Sequence, residues 1–140
     1  MGVGDLQNRD RKGAALVKLS ADEFVDLVEE ALADIPPVFV PYLRDVSVDV
    51  EPMPTPRDLE AVGLKDPRRL LGLYHGTPLT GRSVEHNVRM PDRIVIYQLN
   101  IERVCRTRSQ LVRQIRKTVL HEVGHHFGMD EDDLGDVGYR

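Results

Sequence analysis

The chain has no tryptophan, three phenylalanines and four tyrosines, so its interior has to be assembled from Leu, Val and Ile. A core of that kind suits a small two-layer domain. Cysteine is nearly absent too. The single Cys105 excludes an internal disulfide and fits a reducing compartment. No apolar run approaches the ~20 residues needed to span a bilayer, and Met1 to Gly13 lacks the apolar segment of a signal peptide. The expectation is a cytoplasmic protein without a membrane partner. Charge of one sign is also in short supply. A net charge of −4 gives no global field that would favour nucleic acid or an anionic surface.

What is present fits one ordinary globular domain. The 140 residues are 41% hydrophobic and 30% charged. Residues 1–18 mix Gly, Asp, Arg, Lys and Asn without periodicity and read as a flexible tail, leaving 19–140 as the domain. Ser20 and Glu23 have the spacing of a capping box. Phe24, Leu27, Val28, Ala31 and Leu32 follow as one helical stripe, stopped by Pro36-Pro37. The segment Val38 to Leu43 can add a short turn. Val46, Val48 and Val50 alternate with Ser47, Asp49 and Glu51 as a half-buried strand ended by Pro52 and Pro54.

A helical turn is expected at Arg57 to Val62 and a second apolar run at Leu70 to Tyr74. A long connection from Gly76 to Asp92 leads to Ile94-Val95-Ile96-Tyr97, a strand suited to burial on both faces. Asn100 is placed as the N-cap of a short turn through Cys105, and Ser109 as the cap of a long last helix to about Phe127. Gly128 then ends that helix in the left-handed conformation. The element order α-β-(α)-β-β-α-α predicts an α+β fold, a small three-stranded sheet packed with helices.

The last helix carries His121-Glu122-Val123-Gly124-His125, a His-Glu-x-x-His motif. On a helical wheel Leu111, Val112, Ile115, Val119, Leu120, Val123 and Phe127 define the core face. His121 and His125 project about 40° apart on the opposite half, with Glu122 at the margin. Two imidazoles one turn apart can share a metal ion, and the glutamate can reach a water bound to it. His126 falls inside the core arc and reads as a packed histidine. His75 and His86 have no suggestive spacing.

A catalytic zinc site takes three protein ligands and leaves one position for water. Once Gly128 turns the chain, Asp130, Glu131, Asp132 and Asp133 come within reach. Glu131, six residues after His125, is the preferred third ligand. The same acids could instead cap a short final helix.

At this helix the sequence resembles the zincin superfamily, in particular the Asp-zincin pattern His-Glu-x-x-His-x-x-Gly-x-x-Asp. The run Ile94 to Gln98, the run Thr118 to Gly128, the stretch Leu71 to Thr80 and the terminal Gly138-Tyr139 are similar to a bacterial family of minimal zincin-like metallopeptidases. That resemblance implies a compact α/β fold and one Zn²⁺ held by His121, His125 and the residue at the family's aspartate position. Here that residue is Glu131, one methylene longer, so Asp130 and Asp132 stay open as substitutes. It also implies hydrolysis of peptide or protein substrates, with Glu122 as general base. Tyr74, Tyr97 and Tyr139 are candidates for oxyanion stabilisation, and the edge of the 70–74 strand for pairing with an extended peptide. The alternative is a non-catalytic zincin-fold binding module with a structural or vestigial zinc.

A run of six basic residues lies between positions 100 and 120: Arg103, Arg106, Arg108, Arg113, Arg116 and Lys117, against Glu102 alone. It reads as a solvated helix face rather than a phosphate-binding surface, so nucleic acid is not the expected partner. Cys105 reads as a small buried hydrophobe.

Overall fold

Ser20 caps the first described helix. Its hydroxyl accepts from the N–H of Glu23 and the Glu23 carboxylate accepts from the N–H of Ser20, a complete capping box. From there the computed structural model describes residues 18–76 and 91–129. The expected tail, apart from Lys18, and most of the connection Gly76 to Asp92 lie outside them. Helix α1 spans Ala21–Leu32 and buries Phe24, Leu27, Val28 and Ala31, the predicted stripe with only Leu32 less covered. A 3-10 turn, Pro37–Phe39, leads into a single helical turn α2, Val40–Leu43.

Strand β1, Val46–Glu51, is followed by helix α3, Pro56–Val62, which closes on left-handed Gly63. Strands β2, Gly72–His75, and β3, Asp92–Tyr97, complete a three-stranded sheet in the order β1-β3-β2. β1 runs parallel to β3, pairing Val48 with Ile94 and Val50 with Ile96; β2 runs antiparallel to β3, pairing Gly72 with Ile96 and Tyr74 with Ile94. The sheet is therefore mixed, with β1 and β2 at its two edges.

The central strand is covered on both sides, as its sequence requires. Ile94 and Ile96 face the main core of α1 and the final helix, while Val95 and Tyr97 pack on the other face with Leu59, Leu64, Leu70 and Leu73. Burying such side chains supplies about 1.5–3 kcal/mol each.

Helix α4, Gln98–Arg103, leaves β3 directly and has Tyr97 at its cap position. Asn100 is thus not an N-cap. It lies inside the helix, fully buried, and its amide donates to the carbonyls of Pro67 (2.7 Å) and Leu70 (2.8 Å). Buried Glu102 accepts from the N–H of Leu19 and from Gln98, tying α4 to the start of α1.

The long helix α5, Arg108–His126, has 19 residues. Its cap is Thr107, not Ser109: the Thr107 hydroxyl accepts from Gln110 N at 3.1 Å, and Gln110 Oε1 accepts from Arg106 N at 2.7 Å. Thr107-x-x-Gln110 has capping-box spacing, the signal that could have located the start. The core face is as predicted through Val123, but Phe127 is 46% exposed. It follows the last helical residue and meets Tyr42 and Tyr74 at its ring edges instead of entering the core. Gly128 has φ +81°, so the left-handed stop is as expected. None of the described helices is long and apolar enough to cross a membrane.

Candidate active site

Gln114, Lys117, Thr118, His121 and Glu122 recur along α5 at intervals of three and four, which aligns them as one stripe. The stripe faces strand β2 and, with Leu70, Leu71 and Gly72 opposite, lines a groove of about 520 Å³. Gly72 makes the close approach possible. A Cβ there would lie 2.7 Å from Thr118 Cγ2 and 3.1 Å from the carbonyl oxygen of Val95. Asn100 holds the entry to β2 in place through Pro67 and Leu70, so the groove wall is anchored from behind.

Glu122 joins the two walls. Its Oε1 accepts from the N–H of Tyr74 at 3.1 Å. Leu71 accepts from Tyr97 across the β2–β3 ladder. Antiparallel alternation therefore turns the main-chain groups of Gly72 and Tyr74 outward, away from β3. Burial pushes the Glu122 carboxyl above the ordinary carboxylate range, and the Tyr74 N–H and nearby His125 offset part of that rise. A carboxyl raised by desolvation is matched to proton exchange closer to neutral pH.

The rings of His121 and His125 stand 5.0 Å apart between centroids, nearly perpendicular at 79°. His121 is half-buried and His125 exposed, so the pair borders solvent off the core face. Two imidazoles beside a half-buried carboxylate are a donor set that fits zinc. Among the described residues no group of three or more His, Cys, Asp or Glu side chains could hold a metal. Glu131 and its alternatives Asp130, Asp132 and Asp133 lie outside those residues.

His126 is exposed rather than set in the core arc. It nevertheless packs: its ring stacks on Tyr74 at 3.8 Å and 11°, with Nε2 3.9 Å from Asp92 Oδ2. The Tyr74 hydroxyl donates to the same Asp92 oxygen at 2.8 Å. Burial and that acceptor both push the phenol well above its ordinary value, so it stays protonated. Asp92 was missed by sequence reasoning; nothing in its local spacing marks it.

Tyr97 is buried on the other sheet face and donates to Asp58 at 2.8 Å, which removes it from the motif's surroundings. His75 faces the same way, 4.0 Å from Asp58. Tyr139 and His86 lie outside the described residues. Cys105 is 2% exposed and its thiol is pushed up to about 11 by burial, in keeping with a small core residue.

The described helix thus sets paired imidazoles and a half-buried glutamate against a sheet edge. The chain belongs to the Zincin-like metallopeptidase family, which matches residues 43–139. Among solved structures it is similar to a conserved hypothetical protein from Thermus thermophilus, at 26% identity and a TM-score of 0.49 over 78% of this chain and 94% of that one. No curated protein matches it significantly.

Proposed function

We propose that this protein is a zinc-dependent peptidase in which His121, His125 and Glu131 hold the metal and Glu122 is the general base. One observation carries the reading. The Glu122 carboxylate is fixed where the imidazole pair, the groove and the outward N–H of a sheet-edge residue meet. A carboxylate held between the helix and the strand edge, beside the imidazole pair, is placed to exchange protons with a water bound there. Zinc, when bound, lowers the pKa of a coordinated water toward about 7 and polarises a carbonyl.

The chain's own residues supply the rest. Glu122 accepts the proton of the attacking water and delivers it to the leaving amine nitrogen. The hydrogen bond from Tyr74 N holds one carboxylate oxygen against the strand and leaves the second oxygen for proton transfer. The outward groups of Gly72 and the carbonyl of Tyr74 offer main-chain partners to an extended substrate, which would lie along β2 as an added strand. Asp92 and His126 hold the Tyr74 side chain, and through it the strand that bears the Glu122 contact.

The test compares wild type with Glu122→Gln on a peptide library, with zinc content measured for both. Loss of hydrolysis by about 10²-fold or more with zinc retained is expected, as for removal of a general base. Equal zinc and no difference in hydrolysis would return the chain to the non-catalytic binding module.

A further inference from the structure

The groove does not stop at the motif. A second depression of about 350 Å³ shares Arg69 and Leu71 with it and extends past Arg68 and Arg103. The one acid among the described residues of this extension, Asp66, is held by Arg68 through two hydrogen bonds of 3.1 and 3.2 Å. Lys117 and Arg69 make no ion pair with any described residue, whereas Arg103 acts on Asp66 from beyond ion-pair distance. Among the described residues Lys117 and Arg69 thus line the groove beside His121 and Glu122 without an ion pair, and Arg103 flanks the adjoining depression, in a chain of net charge −4. Positive charge concentrated in a cleft of an acidic protein selects for negative ligands.

We infer that the groove recognises an acidic peptide, with an Asp or Glu side chain two or three residues from the scissile bond. This rests on the peptidase reading and names its substrate class. The distance follows from geometry. Lys117 lies four residues before His121, about 6 Å along the helix axis, which an extended peptide at roughly 3.3 Å per residue covers in two. Arg69 lines the same groove as Lys117, and Arg103 lines the adjoining depression.

Nucleic acid is the competing anion, and two features disfavour it. Among the described residues no Phe, Tyr or Trp lines either depression, so the large aromatic platforms on which successive bases stack are missing there. The basic run of 100–120 is also divided. Arg108 pairs with Glu30 at 2.9 Å, and Arg116 donates to the Ala31 carbonyl at 3.0 Å, both against α1. Only Arg103 and Lys117 of that run line the groove.

The experiment measures binding by fluorescence anisotropy to zinc-loaded Glu122→Gln protein, which keeps peptides intact. The probes are ten-residue peptides scanned with Glu or isosteric Gln at each position, and a single-stranded RNA of equal length. Glu at the favoured position is expected to bind roughly tenfold tighter than Gln, the sum of two exposed ion pairs. The difference should shrink with salt and vanish in Arg69→Gln/Lys117→Gln, whose melting temperature serves as the folding control. Equal binding of Glu and Gln peptides, including binding of neither, overturns the inference, as does RNA binding that acidic peptide cannot displace. Selective binding by a wild type that cleaves nothing would instead count against the peptidase reading alone.

Discussion

Cys105 shows how little of this molecule's chemistry lies outside the groove. Its thiol sits in the core, donates to the Gln110 carbonyl at 3.5 Å and is raised from 9.0 to about 11 by burial. The neutral thiol is the form the fold keeps. Between those two values the unfolded chain has lost a proton that the folded chain retains, so stability falls as pH rises through that window. Thiolate is the reactive species, so native protein at pH 8 is expected to resist alkylation while unfolded protein reacts fully. Mass spectrometry after a timed iodoacetamide pulse checks this; rapid native labelling would mean that the site opens. Its burial was readable from the absence of a base at suggestive spacing. The role of Asn100 was not. An asparagine ahead of a helical stretch looks like a cap, and only the fold shows that two loop carbonyls 30 and 33 residues away need its amide.

At the scale of elements the groove depends on α5 lying close to β2, and Gly72 is the contact that sets the distance. Gly72→Ala is expected to cost about 1–3 kcal/mol through overpacking, read as a lowered urea midpoint. Adding Thr118→Ser removes Cγ2, the nearest atom at 2.7 Å, and should recover part of the loss; no recovery would show that the Val95 carbonyl dominates. Local signals specified most element boundaries. The Ser20 capping box, the Val46-Val48-Val50 alternation and Gly128 each act over a few residues, and each matches the fold. The start of α5 was misplaced because Thr107 and Ser109 are both competent caps, and Gln110 decides between them. Phe127 fits the core arc by angle, but angle does not reveal that the helix has run past the packed layer.

At the scale of the whole molecule, the strand order β1-β3-β2 creates the site. Among the described strands it leaves β2 at an edge beside α5, so a carboxylate and a main-chain N–H 48 positions apart in sequence meet at 3.1 Å. The motif could be read from its spacing, as could the exclusion of its histidines from the core. The wall opposite could not, because strand order is set by long-range pairing rather than by any local pattern. The proposed peptidase joins metal binding and proton transfer in that cleft, and the most direct measurement follows peptide hydrolysis during removal and return of zinc. Activity is predicted to vanish with a chelator and to return in full at one equivalent of zinc per chain, with Glu122→Gln silent throughout. Hydrolysis that persists in the metal-free protein would contradict the account.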